Sequence, residues 1–119
     1  MLIQYNEDYK KIAMGLLSYV PDLKEPARIE EELEWYEAEE SRQLYLWKSS
    51  ETGNLIGLVG IEVTDIVLLR HITIDPSYRN EGLSYQILDA LQNRFEGQTI
   101  VSTLETASVI SSWQKNMNR

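Results

Sequence analysis

The chain has 119 residues, 43% of them hydrophobic, and a formal net charge of −8, which together are typical of one globular domain with a single core. The absence of cysteine and the single histidine exclude disulfides, cysteine nucleophiles and multi-histidine metal sites, so no metal is expected. The negative charge opposes nucleic-acid binding. No apolar run approaches the roughly 18 residues of a membrane span, and no signal peptide is evident, so we expect a cytoplasmic protein.

The first part of the chain predicts a short strand followed by two helices. Leu2 to Tyr5 has the composition of a strand, and Asn6 is a suitable cap for a helix whose apolar residues recur at intervals of three and four as far as Leu17. Pro26 is placed as in the first turn of a second helix. The apolar stripe of that helix, within an acidic sequence, consists of Ile29, Leu33 and Tyr36.

The middle of the chain predicts three consecutive strands. Gln43 to Lys48 and Leu55 to Val63 flank the turn-forming residues 51–54, and together they predict a hairpin. A second reversal leads into Ile66 to Ile74, which is apolar almost throughout. Such a strand is covered on both faces, and we expect it at the centre of the sheet.

The last part predicts a helix, a strand and a final helix. The helix places Leu83, Ile87, Leu88, Leu91 and Phe95 on one face and ends before Gly97, and residues 99–104 predict a strand. Thr106 is expected to cap the last helix, which contains Trp113. The whole chain, residues 1–119, is therefore predicted as one α/β (α+β) domain with a mixed, mostly antiparallel sheet flanked by helices.

The connection from Asp75 to Ser84 has the features of an anion site. It leads from an apolar strand into the first turn of a helix, where backbone N–H groups lack intrahelical partners and the helix dipole is positive. Arg79 adds a full charge, and Gly82 lets a phosphate approach the backbone. The single glycine and the missing Gly-Lys-Ser/Thr argue against Rossmann and P-loop nucleotide sites. Without further specifics, an ordinary strand-to-helix connection is the favoured interpretation of the segment.

The sequence Arg-Asn-Glu-Gly-Leu-Ser at 79–84, after a strand ending in Asp-Pro, is similar to the signature Gln/Arg-x-x-Gly-x-Gly/Ala of the GNAT N-acetyltransferases. Within that family, KIAMGLLS (11–18), RQLYLWK (42–48) and RHIT (70–73) resemble small acetyltransferase-like proteins encoded in riboflavin-biosynthesis operons. The resemblance implies an acyl-CoA-binding domain that transfers an acetyl group from acetyl-CoA to a primary amine of a small molecule or protein.

The same resemblance implies where the coenzyme binds. Main-chain groups on the strand would pair with the pantetheine arm, at Ile72, Thr73 and Ile74. Amides of the loop would hold the pyrophosphate, at Arg79, Asn80, Glu81, Gly82, Leu83 and Ser84. Ser84 stands where the family prefers glycine or alanine, and its hydroxyl would either donate to a phosphate oxygen or crowd it.

The catalytic groups are less clear than the coenzyme loop. The resemblance places the usual base at Leu68, which leaves Glu62 or His71, acting through a water, as candidates; an ordinary solvated carboxylate and a hydrogen-bonded strand histidine are the alternatives. No tyrosine follows Tyr85 to protonate the CoA thiolate, and the hydroxyls of Ser108, Ser111 and Ser112 are weak substitutes. A noncatalytic acyl-CoA-binding or regulatory protein linked to riboflavin metabolism is therefore the second hypothesis.

Two further features have two interpretations each. The acidic residues between 30 and 40 either attract an amine or form a solvated helix face, and Tyr36, Tyr45 and Trp47 line either a pocket or the core. GNAT domains usually continue for two more strands after the last helix, so the resemblance also suggests a homodimer that covers the C-terminal edge of the sheet.

Overall fold

One five-stranded sheet carries two helices on each face in the computed structural model, which describes residues 1–79 and 82–117. The elements, in chain order, are β1 (Leu2–Gln4), α1 (Lys10–Leu17), α2 (Pro26–Glu37), β2 (Arg42–Lys48), β3 (Leu55–Val63), β4 (Val67–Ile74), α3 (Leu83–Arg94), β5 (Ile100–Ser102) and α4 (Ala107–Met117). This order and the α/β class confirm the predictions. Within the described residues, no helix is long and apolar enough to cross a bilayer.

The strands lie in the sheet in chain order, β1-β2-β3-β4-β5. Neighbours are antiparallel except β4 and β5, which are parallel because α3 crosses over between them. The expectation that the apolar strand β4 is central was wrong, since β3 occupies the middle. Strand β4 nevertheless has a neighbour on each side and helices over both faces, which explains its apolar composition.

Each face of the sheet has its own core. The face under α1 and α2 buries Leu16, Leu17, Leu33, Leu46 and Leu58, and the face under α3 and α4 buries Val59, Leu69, Ile87, Leu91 and Trp113. Tyr36 and Tyr45 belong to these cores, and Trp47 is half-buried against the second. The core interpretation of these aromatic residues is therefore confirmed.

The helix-start signals near the N-terminus act as predicted. The Asn6 side chain accepts a hydrogen bond from the Asp8 amide at 2.8 Å and caps a 3-10 turn that leads into α1. Pro26 is the first residue of α2, where its missing N–H costs nothing.

Thr106 precedes α4 as predicted, but its side chain has a different role from the expected cap. The hydroxyl donates to the carbonyl oxygen of Leu69 at 2.9 Å and accepts from the amide of Thr103 at 3.0 Å. Both partners lie where β4 and β5 stop pairing. Thr106 therefore fastens the start of α4 to the sheet at the point where the two strands part.

A β-bulge in β4 changes the direction of its side chains. Gly60 lies opposite His71, but the next residue of β3, Ile61, lies opposite Leu69, so Arg70 is one extra residue in β4. The contacts of Arg70 with Glu62 and of His71 with Tyr36 place two consecutive side chains of β4 on the α2 side of the sheet. A regular strand would have sent them to opposite faces.

Candidate active site

A cavity of about 670 Å³ opens between the end of β4, the start of α3 and one side of α4. It collects the described members of the predicted coenzyme site, which are Ile72, Thr73, Ile74, Arg79, Gly82, Leu83 and Ser84. Asn80 and Glu81, predicted in the same loop, lie outside the described residues. Strand and loop residues that were singled out separately thus meet at one cavity.

Among residues 1–79 and 82–117, no strand lies beside the edge of β4 that faces this cavity. Strand β5 pairs with β4 only from Val67 to Leu69, and the Asp75 amide bonds to the Ile56 carbonyl oxygen on the opposite, β3 side at 2.8 Å. Because backbone groups alternate along a strand, Ile72 and Ile74 direct their N–H and C=O groups away from β3. The gap after Leu69 therefore exposes a strand edge that an extended ligand can use.

The N-terminus of α3 forms the other side of the cavity. Gly82 is the N-cap residue with a φ of 73°, a left-handed conformation that favours glycine. The amides of Leu83, Ser84 and Tyr85 belong to the first turn, where no carbonyl lies four residues back within the helix. Among the described residues no side chain caps this end, so the geometry suits an anion.

Several residues of the cavity were not identified from the sequence as coenzyme contacts. They are Tyr19, Tyr78, Tyr85, Ser108 and Ser112. Tyr19 follows α1 and lies at the cavity only because of the tertiary fold, so no local sequence pattern predicts its position there. Two of the three weakly predicted serines line the cavity, whereas Ser111 is exposed outside its lining.

Trp113 of α4 has a hydrogen-bond partner on the neighbouring helix. Its Nε1 donates to Asp89 Oδ1 on α3 at 2.9 Å, and the ring is buried. The side chain therefore joins α3 to α4 behind the cavity.

His71 is buried on the α2 side and hydrogen-bonded to Tyr36, with 2.5 Å between the phenol oxygen and Nδ1. Gly60 makes this contact possible, since a Cβ there would lie 2.1 Å from the Tyr36 hydroxyl. Burial, and then the charge of Arg70, lower the pKa of His71 to about 4. Burial also raises the pKa of the Tyr36 phenol well above its ordinary value. Both groups are therefore neutral near pH 7.

This pair favours one tautomer of the imidazole. A protonated phenol donates its hydrogen, and its acceptor among the described side chains is His71 Nδ1. The imidazole hydrogen then lies on Nε2, which is 3.9 Å from Glu32 Oε2. Since Nδ1 is occupied by the phenol, His71 has no free lone pair to take a proton in this arrangement. The interpretation of His71 as a hydrogen-bonded strand histidine matches this geometry.

Glu62 lies one strand away and is held by Arg70. Its Oε1 is 3.2 Å from Arg70 Nη1, and both side chains are about one-third exposed. Glu62 pairs across the sheet with Leu68, the position where the family resemblance places the usual base. Glu62 therefore carries its carboxylate on the strand next to the usual position of the base. The carboxylate is paired with the Arg70 guanidinium and is not freely solvated.

A second cavity of about 380 Å³ adjoins the first. Tyr19, Ile72 and Thr73 line both cavities, and Arg70 and His71 lie on the wall of the second. The arrangement offers space for two ligands that meet at β4: an extended one with an anionic part at α3, and a smaller one beside the bulge.

Comparison with known proteins identifies the class. Residues 16–113 match the family of acetyltransferase (GNAT) domains. An uncharacterised N-acetyltransferase encoded in the lysA 3' region of Bacillus methanolicus is 38% identical over 112 residues, which cover 92% of each chain.

Solved structures share the fold. An aminoglycoside 6'-N-acetyltransferase from Acinetobacter haemolyticus, in its apo form, superimposes with a TM-score of 0.70 at 15% identity, over 98% of this chain and 88% of its own. The aminoglycoside N-acetyltransferase AAC(6')-Iy, in complex with the bisubstrate analogue CoA-S-monomethyl-acetylneamine, gives a TM-score of 0.72 at 18% identity, over 99% and 86%.

The fold and the two cavities define an α/β domain in which two parallel strands part beside a helix N-terminus. The chain belongs to the GNAT family of acetyltransferases. It is an enzyme of the N-acetyltransferase class.

Proposed function

We propose that the chain transfers an acetyl group from acetyl-CoA to a primary amine bound in the smaller cavity. The nitrogen lone pair attacks the thioester carbonyl carbon and the carbon–sulfur bond breaks. The proton lost by nitrogen balances the one gained by the thiolate, so that an acetamide and the CoA thiol leave. The observation that carries this proposal is that the two cavities meet at Tyr19, Ile72 and Thr73 on the free edge of β4.

In this proposal the coenzyme spans the larger cavity. The pantetheine arm pairs with backbone groups of Ile72 and Ile74, and at Ile74 it replaces Arg79 Nε, which donates to the carbonyl oxygen at 3.4 Å. The pyrophosphate accepts from the first-turn amides of α3 with Arg79 beside it. The bisubstrate complex of AAC(6')-Iy supports CoA as the donor, because that protein has the same fold. Ser84 lines the cavity, so its hydroxyl acts there as a donor to the phosphate.

The two proton-acceptor candidates have different parts. Glu62 is the base, acting through a water, because a carboxylate remains able to accept a proton while it is paired with Arg70. His71 holds the wall of the acceptor cavity in place through its bond to Tyr36. The hydroxyl of Ser108 or Ser112 donates a hydrogen bond to the departing thiolate, which takes up the proton lost by the amine, since both serines line the coenzyme cavity.

Coenzyme binding is tested separately from chemistry. Acetyl-CoA is expected to raise the melting temperature of the native chain, and Arg79→Glu to abolish that shift. Lys24→Glu makes the same charge change at an exposed position outside both cavities and is the matched control. An equal loss of the shift in both variants would attribute the effect to net charge alone and contradict the site.

Catalysis is tested by the release of CoA thiol with primary amines. Glu62→Gln is expected to lower kcat by about 10²-fold or more, as for other general bases. His71→Asn retains an acceptor for Tyr36 and is expected to keep kcat within about tenfold of the native value. If His71→Asn lowers kcat by about 10²-fold and Glu62→Gln leaves it unchanged, the assignment of the base is wrong.

Two more specific expectations, a link to riboflavin metabolism and a homodimer, belong to the same proposal. A link to riboflavin metabolism is supported only by the short sequence resemblances at 11–18, 42–48 and 70–73. A second copy of the chain along the free edge of β5 is likewise a prediction, which sedimentation of the purified protein tests.

A further inference from the structure

The acceptor cavity is small and partly apolar. Its volume of about 380 Å³ is near the lower end of small-molecule sites, which span roughly 300–1,000 Å³. Val20 and Pro21 form one wall and Ile72 the other, with the Tyr19 ring at the junction with the coenzyme cavity. This lining fits a short aliphatic body better than a sugar with many hydroxyl groups.

Two carboxylates give this cavity a negative charge. Asp22 and Glu105 lie on its lining, both exposed, and in the described part of the chain neither forms an ion pair. Arg70 is the cation on the same wall, and Glu62 neutralises it at 3.2 Å. His71 is neutral, as its burial requires. The charges on this lining therefore favour a cationic ligand.

A buried hydroxyl points independently to a ligand at the same place. Thr73 is 7% exposed, its Oγ1 has no hydrogen-bond partner among the described residues, and the residue lines both cavities. Buried polar atoms in folded proteins are nearly always partnered. A polar atom of a ligand at the junction of the cavities, such as the amine or the thioester oxygen, supplies the missing partner.

We infer that the acceptor is a short aliphatic diamine, with one amine reacting at Thr73 and the second cationic group held by Asp22 and Glu105. The reacting nitrogen must be uncharged to attack the thioester, so it cannot itself satisfy the two carboxylates. A second ammonium group does so in both substrate and acetylated product. This inference rests on the proposed function and specifies its acceptor.

The test compares two amines of equal length, 1,4-diaminobutane and 1-aminopentane, which differ by a terminal ammonium in place of a methyl group. CoA release by the native chain is expected to show a kcat/KM at least tenfold higher for the diamine. In Asp22→Asn/Glu105→Gln this ratio is expected to fall to about one. Asp65→Asn/Glu51→Gln removes the same charge at exposed positions outside the cavity and is expected to keep the native ratio.

The outcomes separate the two proposals. Equal kcat/KM for the two amines in the native chain overturns the diamine inference and leaves the acetyltransferase proposal intact. A preference that survives in Asp22→Asn/Glu105→Gln also overturns it. Absence of CoA release with either amine, while other primary amines react, refutes the diamine alone. Absence with every amine tested refutes both.

Discussion

Replacing Gly60 by alanine tests the buried polar pair most directly. The new Cβ would lie 2.1 Å from the Tyr36 hydroxyl oxygen and 2.4 Å from the ring carbon that bears it. Neither distance is tolerable, and the ring is enclosed by the α1–α2 core. Tyr36 must therefore shift and lose its hydrogen bond to His71.

The expected cost combines three effects. Overpacking costs about 1–3 kcal/mol, and leaving a buried hydrogen-bonding group unpaired costs about 1–3 kcal/mol more. Alanine returns about 0.5–1 kcal/mol through the lower backbone entropy of the unfolded chain. The net loss of unfolding free energy is about 1–5 kcal/mol, which for a chain of this size lowers Tm by about 4–25 °C.

The measurement is urea and thermal denaturation of four variants. Gly15→Ala is the control, because a Cβ there has no atom within 4 Å and lies in helix α1, so a small gain in stability is expected. In a Tyr36→Ala background, Gly60→Ala is expected to cost little, since the clashing ring is gone. An equal cost of Gly60→Ala with and without Tyr36 would refute the reasoning.

Three further outcomes follow from single contacts. The pKa of His71 is about 4 in the folded chain and near 6.5 in the unfolded chain, so the unfolded state binds the extra proton between these values. The free energy of unfolding should therefore fall by on the order of 3 kcal/mol as the pH is lowered from about 6.5 to 4. The variant His71→Asn should lack this pH dependence. An imidazole NMR titration near 6.5 would contradict this. Thr106→Val should cost about 1–3 kcal/mol in denaturant unfolding, because the Leu69 carbonyl loses its buried donor; a change within 0.5 kcal/mol, typical of surface sites, would argue against the contact. Asp89→Leu should destabilise more than Asp89→Asn, which retains an acceptor for Trp113; equal stabilities would exclude that bond.

Much of the fold, and the position of the proposed coenzyme loop, could be predicted from short stretches of sequence. The Asn6 cap, the first-turn proline at 26 and the turn around Gly53 act over a few residues, so the sequence reveals them. The strand-to-helix connection at 75–84 is local in the same sense. The prediction of an anion site there follows from a helix start and a glycine, and needs no knowledge of distant residues.

The acceptor side depends on contacts between distant parts of the chain. Tyr36 fits the apolar stripe of α2, and nothing in its spacing reveals that its hydroxyl meets His71, 35 residues later. Tyr19 follows α1 without a local pattern. The bulge at Arg70 was not predicted, because it is defined by the register of β4 against β3, a separate segment of the chain. These features require the tertiary structure.

The bulge also means that β4 can lose one residue, Arg70, without changing which side chains face each core. Leu69 and Ile72 pack on the same α3–α4 core although an odd number of positions separates them, which only the extra residue allows. Deleting Arg70 would restore the regular alternation, because Leu69 and His71 already lie opposite the consecutive residues Ile61 and Gly60, so His71 and Ile72 would keep their present faces. Relatives of this chain that lack a residue at position 70 should therefore have a regular β4 with the same residues on each face.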